Sequence, residues 1–400
     1  MFLSFYYPPD FCAGSFRADG LKKSFLKHKA LTSLIILTTY PQRYGHIDNV
    51  PFLEKVKNFK LRSVKTPEHK NKFYRQIYNF LVYSIFCFKY VIKNKKSIDC
   101  IFITSSRFGT AFLGYLISIV LDKPFYADIR DIFSDSLNSI SKLNNLFGRL
   151  IKYIVIKIEI IVLSKAHWVN FVSPGFLNYF KDLPRSKIST YTNGIDDIFL
   201  KHYSKALKCI PINDKSPFKL IYTGNIGFGQ GLEKIIIPIA KHFKNKIEFN
   251  IIGDGSASDL LLKCIKDNRI NNVNIIPHTN RIDLINYYDN ADILFLHLND
   301  IPAFEKVLPS KIFEYSTFNK PILAGVSGAS KEFLIKNLNG AYIFHPGDYR
   351  SAILLVEKII NSRSEQLRID NGIFIKKYDR KVVSDKMVKH FFEIWKGNKN

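Results

Sequence analysis

The sequence predicts an α/β protein built from two parallel-sheet domains. Short β-branched and aromatic runs alternate with longer helical patterns, which is the signature of parallel strands covered by helices. A polar stretch at 205–217, carrying Pro211 and Pro217 and no sustained apolar period, interrupts that alternation before it restarts at Phe218. Four hundred residues are too many for one small core and suit two ordinary domains. The expected division is 1–205, then 206–380, with 381–400 a C-terminal helix able to cross back to the first domain.

In the first half the runs predict strands over 2–7, 33–39, 99–104, 125–129, 168–172 and 189–192, with helices over 15–28, 68–96, 108–122 and 141–166. The first strand is aromatic, Phe2-Leu3-Ser4-Phe5-Tyr6-Tyr7, and Pro8-Pro9 turns it; it lacks the basic start and long apolar core of a secretion signal. In the second half strands are expected over 218–223, 248–252, 274–276, 292–296, 321–324 and 341–344, a helix over 232–242, and a last helix over 381–395. The apolar window 146–169 is interrupted by Arg149, Lys152, Lys157, Glu159 and Lys165, which argues for a buried helix over a membrane span.

Composition narrows the partners. Hydrophobic residues make up 46% and aromatics 14%, enough for a folded core. The formal charge of +25 favours an acidic partner such as a nucleotide, a pyrophosphate lipid, an anionic membrane or nucleic acid. Between residues 54 and 96 stand ten Lys and two Arg against two Glu, so part of the charge is local. That segment also carries an apolar and aromatic run from Phe73 through Ile77, Tyr78, Phe80, Leu81, Tyr83 and Phe86 to Tyr90, with Lys89, Lys93, Lys95 and Lys96 at its end. A helix of this kind is suited to lie on an anionic membrane surface, and the alternative is a core helix with a solvated basic end. No nucleic-acid module is recognisable, so that partner is not expected. The five cysteines form no CxxC pair, which suggests a reducing cytosol, and no ligand cluster suggests a metal.

The segment Leu308-Pro309-Ser310-Lys311-Ile312-Phe313-Glu314 opens a helix with a cation and a carboxylate three residues apart, on one face. Pro309 ends the preceding segment and Ser310 is the expected N-cap. Glu314 lies one place beyond the capping-box position, which leaves it for a ligand. Lys311 and the helix start offer a seat for phosphate, and the carboxylate suits vicinal hydroxyls of a sugar. A solvated Lys/Glu pair on an amphipathic helix is the plainer alternative.

A glycine-rich turn, Gly224-Asn225-Ile226-Gly227-Phe228-Gly229-Gln230-Gly231, follows strand 218–223 and lets backbone amides approach a phosphate at a strand's end. A tight strand–helix turn and part of a dinucleotide site are the lesser alternatives. In the first domain Asp10, Gly14 and Ser15 occupy another strand–helix loop, with Ser15 read as an N-cap, and Asp128-Ile129-Arg130-Asp131 closes a strand with site charges or a structural Arg–Asp pair.

Taken in order, the Pro8-Pro9…Gly14-Ser15 loop, Ile129-Arg130-Asp131-Ile132-Phe133, Asn193-Gly194-Ile195-Asp196, Gly224-Asn225-Ile226-Gly227, Gln230-Gly231-Leu232, Gly253-Asp254-Gly255 and Pro309-Ser310-Lys311…Glu314 resemble glycosyltransferase family 4 over nearly the whole chain. The resemblance implies the GT-B architecture, two Rossmann-like domains facing across a cleft, and retaining sugar transfer from a nucleotide sugar, with UDP the expected carrier, and with no cofactor and no metal. Glu314 matches the glutamate that holds the ribose hydroxyls, and Lys311 stands where a phosphate contact is expected. Gly224, Asn225, Gly227, Phe228, Gly229, Gln230, Gly253, Asp254 and Ser310 would surround the donor. Pro277, His278 and Thr279 would border the base, with Arg281 near the diphosphate, and Gly14, Ser15, Arg130 and Asp131 would form the acceptor side and reaction centre. Two departures stand out: Asn225 and Gln230 replace the Arg and Lys of many members, and Lys306 replaces the first of two glutamates eight residues apart. This pattern is similar to the branch that moves amino or deoxyamino sugars onto lipid-linked saccharides in bacterial surface-polysaccharide assembly, which implies a cytoplasmic enzyme at the inner face of the plasma membrane. The chain has no Asp-x-Asp, the metal–diphosphate motif of the other large glycosyltransferase architecture. A nucleotide-sugar epimerase and a non-catalytic nucleotide-sugar binder are the alternatives.

Overall fold

The computed structural model describes residues 1–10, 12–41, 58–67, 73–105, 108–132, 134, 146–206, 217–362 and 369–397. They fall into two compact units, Met1–Asn193 with Arg380–Asn400, and Gly194–Asp379.

The first unit runs β1 (Phe2–Ser4), α1 (Ala13–Lys27), β2 (Leu34–Thr39), β3 (Phe59–Val64), α2 (Phe73–Asn94), β4 (Ile101–Ser105), α3 (Phe108–Leu121), β5 (Phe125–Ile129), α4 (Leu146–Ser164), β6 (Trp168–Phe171), α5 (Phe176–Tyr179) and β7 (Ile188–Ser189). Its strands make one parallel sheet in the order β3-β2-β1-β4-β5-β6-β7. Strands β2, β4 and β5 are buried along their whole length, as expected where helices cover both faces. Strand β3 was not anticipated. It alternates half-buried Phe59 and Leu61 with exposed Lys60 and Arg62 at the sheet edge, a charged edge that resists further pairing. The sequence reading took these cations as part of a basic patch and missed the two-residue period.

The second unit runs α6 (Asp197–Ala206), β8 (Phe218–Thr223), α7 (Leu232–Phe243), β9 (Ile247–Ile252), α8 (Ser258–Asp267), β10 (Val273–Ile276), α9 (Arg281–Asp289), β11 (Ile293–His297), α10 (Lys311–Tyr315), β12 (Ile322–Gly325), α11 (Gly328–Asn337), β13 (Ala341–Phe344), α12 (Tyr349–Asn361) and α13 (Gly372–Tyr378). The sheet is parallel, ordered β10-β9-β8-β11-β12-β13. In each sheet the order reverses beside the strand that opens the unit, between β1 and β4 and between β8 and β11, which is where open α/β sheets bind ligands.

The boundary lies at Asn193/Gly194, ahead of the polar stretch, because Ile195 and Phe199 are fully buried in the second core and Ile195 N–H donates to the Tyr378 carbonyl at 2.7 Å. Most of that stretch, 207–216, lies outside the described residues, as do 68–72 and 135–145 at the expected starts of α2 and α4. The last helix, α14 (Arg380–Gly397), packs on α1: Phe391 meets Phe25 edge-on at 5.3 Å and Phe392 stacks on His28 at 3.9 Å. Tyr83, from the apolar run of α2, is core, its hydroxyl donating to the Leu37 carbonyl at 2.9 Å. Phe80, Phe86 and Tyr90 also pack against that core, while the side chains of Phe73 and Tyr74 lie outside the described residues.

Candidate functional site

In the second unit, β8 delivers the glycine-rich turn to the switch point. Gly253, at φ +147°, leaves no room for a side chain, since a Cβ there would overlap the Gly224 carbonyl. The two turns after β8 and β9 therefore close on one another, and Ile226 N–H donates to the Asp254 carbonyl at 3.0 Å. Gly231, at φ +54°, starts α7 in the left-handed region. Gln230 Oε1 accepts from Gly227 N–H at 3.2 Å and from Asn225 Nδ2 at 3.0 Å. Asn225 and Gln230 thus brace the turn, and the Gly227 amide is turned toward Gln230. Phe228 is exposed at the tip, Gly229 lies against Phe304, and Asp254 accepts from Gly255 N–H at 2.7 Å and from Ser258 Oγ at 3.0 Å.

The segment holding Lys311 and Glu314 comes to this turn: Lys311 Cε lies 3.8 Å from where a Gly224 Cβ would stand. Gly224 and the Lys311–Glu314 pair, far apart in sequence, are therefore neighbours, with Gly253 packed against Gly224. His278 lies exposed just past the end of β10, and burial, then the Lys311 charge, lowers its pKa.

Two sequence expectations change here. Ser310 does not cap: its backbone is already helical, and its side chain makes no capping bond, because α10 is a five-residue turn that passes into a 3₁₀ turn over Ser316–Phe318. Glu314 is not idle, since its Oε2 accepts from Lys311 Nζ at 2.8 Å and from Tyr288 Oη at 3.3 Å. Lys311 Nζ also donates to Tyr288 Oη at 3.2 Å. The single Tyr288 proton is committed to Glu314, so the 2.5 Å bond between Tyr288 Oη and Thr223 Oγ1 has threonine as donor. Burial, then the Glu314 charge, raises the Tyr288 pKa well above its ordinary value, keeping the phenol protonated.

Tyr288, Thr223 and His297 were missed in the sequence. A tyrosine on α9 gives no periodic signal of its own; the usable clue is that a buried phenol needs a partner. His297 ends β11 fully buried. Its Nε2 accepts from Gly347 N–H at 3.1 Å, so the proton sits on Nδ1 and is donated to the Gln230 carbonyl at 2.5 Å, fixing the glycine turn from below. Burial lowers its pKa to about 4, so the ring is neutral at pH 7.

Arg281 does not stand free for a diphosphate: it pairs with Asp196 and lies 5.1 Å from the Phe199 ring centroid. Thr279 Oγ1 donates to Asp283 at 3.2 Å, while Asn280 caps α9, and Pro277 is exposed at the end of β10.

In the first unit, Gly14 and Arg130 meet so closely that a Cβ on Gly14 would overlap Arg130 Nη1. Ser15 is not an N-cap: α1 starts at Ala13, and the buried Ser15 hydroxyl makes no hydrogen bond among the described residues. Arg130 is half-buried and Asp131 exposed, one residue on. Asp128 is structural. Arg17 Nε donates to its Oδ2 at 2.7 Å and Nη2 to its Oδ1 at 2.8 Å, while Thr104 Oγ1 and Asn170 Nδ2 each donate at 2.7 Å. Burial pushes this carboxyl up, but the Arg17 charge and these bonds outweigh it and hold it below the usual range. The fork ties α1, which carries Gly14 in its first turn, to β5, whose end Arg130 directly follows. Among the described residues no group of three His, Cys, Asp or Glu could hold a metal ion, and Cys12, Cys87, Cys100 and Cys264 form no disulfide.

Residues 207–373, within the second unit, match the family described as Glycosyl transferases group 1. Among solved structures, the chain is similar to Anabaena HepE in complex with UDP and glucose, at TM-score 0.67 and 12% identity over 98% of each chain. It is also similar to the lipopolysaccharide outer core galactosyltransferase WaaB, at TM-score 0.60 and 13% identity over 98% of this chain and 99% of that one. A third is the UDP-GlcNAc 2-epimerase of Neisseria meningitidis bound to UDP-GlcNAc, at TM-score 0.54 and 15% identity over 98% and 99%. No curated protein matches this sequence. These likenesses give the fold class as GT-B, that of two parallel-sheet α/β units.

Proposed function

We propose that the protein is a retaining, metal-independent glycosyltransferase that moves an amino or deoxyamino sugar from a UDP-sugar to a lipid-linked saccharide in bacterial surface-polysaccharide assembly. The observation that carries this reading is the Lys311–Glu314 pair seated on Tyr288 beside Gly224, inside the segment that matches the group 1 glycosyltransferases. In this role Glu314 accepts from the ribose hydroxyls. Lys311 swings from Glu314 to the diphosphate, where its ammonium meets the charge that grows on the leaving group. Tyr288 keeps Glu314 in place while Lys311 leaves. Gly14 and Arg130, packed together in the first unit, belong to the acceptor side with Ser15 and Asp131. The UDP and UDP-GlcNAc held by solved relatives of this fold support the choice of nucleotide, and the lipopolysaccharide role of WaaB supports the acceptor class.

Attachment to the inner face of the membrane is part of the proposal. It is supported by the exposed Ile77, Tyr78, Leu81 and Ile85 of α2, which share their helix with exposed Lys89 and Lys93.

Thermal-shift measurements against UDP-, GDP- and dTDP-sugars test the donor site, because ligand at a hundred times its Kd stabilises by about 2.7 kcal/mol. Turnover with a lipid-diphosphate saccharide tests the reaction. No shift with any nucleotide overturns the donor site; epimerisation of the free donor without an acceptor overturns the transferase reading.

A further inference from the structure

We propose that the surface meeting an anionic bilayer is the outer face of three neighbouring helices, α2, α3 and α4, with α4 inserting its own apolar stripe. The inference rests on the membrane-attached reading above and names its contact surface.

Tyr83 of α2, Ile117 of α3 and Val162 of α4 lie in one core cluster, and α3 packs against both other helices. The three helices therefore cover one face of the first unit's sheet, whereas α1 and α14 belong to the core cluster on the other. Their outward residues are not those of a solvated layer. On α4, Leu150, Tyr153, Ile154 and Ile161 are each about half exposed, at 54%, 58%, 47% and 50%. Their spacing returns to one side of the helix every three to four residues. Ile119 and Val120 are similarly open at the end of α3, at 58% and 59%.

Charge identifies the occupant. Exposed Arg149, Lys157 and Lys165 flank the α4 stripe, and Lys157 Nζ lies 5.4 Å from the Tyr153 ring centroid. Helices α2 and α3 contain no carboxylate at all. The single acid of α4, Glu159, is buried and accepts from Ser134 Oγ at 2.7 Å. Among the described residues of the three helices no carboxylate is exposed, Asp122 standing just past the end of α3, and an outer layer so dominated by apolar and cationic groups complements phosphate headgroups above acyl chains better than a protein partner of mixed charge. No helix among the described residues is long and apolar enough to cross a membrane, so the contact is in the plane of the surface.

The test is co-sedimentation of the full chain with phosphatidylglycerol-containing and pure phosphatidylcholine vesicles. One variant carries Leu150→Ser, Tyr153→Ser and Ile154→Ser, and a second carries Lys89→Gln and Lys93→Gln. The wild type should bind the anionic vesicles at low salt and release them at high salt, and each variant should bind at least tenfold more weakly with an unchanged melting temperature. A third variant, Tyr153→Trp, should show emission quenched by brominated acyl chains. If the α4 triple variant binds like wild type while the α2 variant does not, the three-helix surface is wrong and attachment through α2 alone stands. Absence of vesicle binding, equal binding to neutral vesicles, or concentration-dependent self-association lost in the triple variant without vesicle binding each overturns the proposal.

Discussion

Lys311 and Glu314, one helical turn apart, close on each other at 2.8 Å over the hydroxyl of Tyr288, so the two charges of the proposed donor site balance each other. Both side chains keep partial access to solvent, 21% and 17%, which leaves the pair able to open. Its net stabilisation is then small, about 1 kcal/mol or less, as the proposed move of Lys311 to a diphosphate requires.

Replacing Glu314 with Gln should weaken UDP-sugar affinity or turnover about ten- to a hundredfold, since hydrogen bonds to a charged group contribute about 1.5–3 kcal/mol. Kinetics settle this. Unchanged kcat/KM in a folded variant would remove the carboxylate from the site.

For Lys311→Ala the ratio between ligands is the measurement. UDP affinity should fall about tenfold or more while uridine affinity changes little, because the ammonium addresses phosphate rather than base or ribose. Equal losses for both would place the lysine's effect in fold stability.

Tyr288→Phe should destabilise the fold by about 1–3 kcal/mol through the unmet Thr223 and Glu314 groups, and should also weaken UDP-sugar binding by releasing Glu314. Urea unfolding reads the first effect and calorimetry the second. A variant with lower stability but full donor affinity would make Tyr288 a purely structural residue.

His297 supplies a pH dependence with a definite sign. Burial lowers its folded pKa to about 4, against about 6.5 in an unfolded chain. Between these values the unfolded state binds more protons, so the stability it lends is complete above pH 6.5 and declines as pH falls toward 4. Over that window wild-type stability should drop more steeply than that of His297→Gln, by a difference approaching about 1.36 kcal/mol per pH unit. Parallel urea curves for the two proteins at pH 7.5, 6, 5 and 4.5 would contradict the assignment.

Turnover should survive EDTA, because Lys311 and the turn's backbone are proposed to meet the leaving charge without a divalent ion. Loss of activity on chelation, restored by Mg²⁺ or Mn²⁺, would refute it.

Much of the fold was legible because buried parallel strands are written as short, mostly apolar runs: 125–129 and 218–223 match the sequence expectation to the residue. Edges were less legible. Strand β3 has only one side half-buried, so Phe59 and Leu61 stood among lysines and their period was masked by charge. The division at Asn193 was hidden for a related reason, since the polar break in the sequence follows α6, whose Ile198 and Phe199 already pack on the second core.

In the candidate site the sequence by itself determined which chemical groups are present: a glycine-rich turn after β8, and Lys311 and Glu314 on one helical face. Local periodicity and turn chemistry act over a few residues, and these features lie within that range. Only the tertiary structure decided what the groups touch. Tyr288 lies 26 residues before Glu314, Asp196 pairs with Arg281 across 85 residues, and Arg17 reaches Asp128 across 111. Such partners are chosen by which strand ends the sheet order brings together, and no local rule encodes that. A side chain's hydrogen-bonding capacity is fixed by its type, but its partner depends on whichever unpaired group shares its burial.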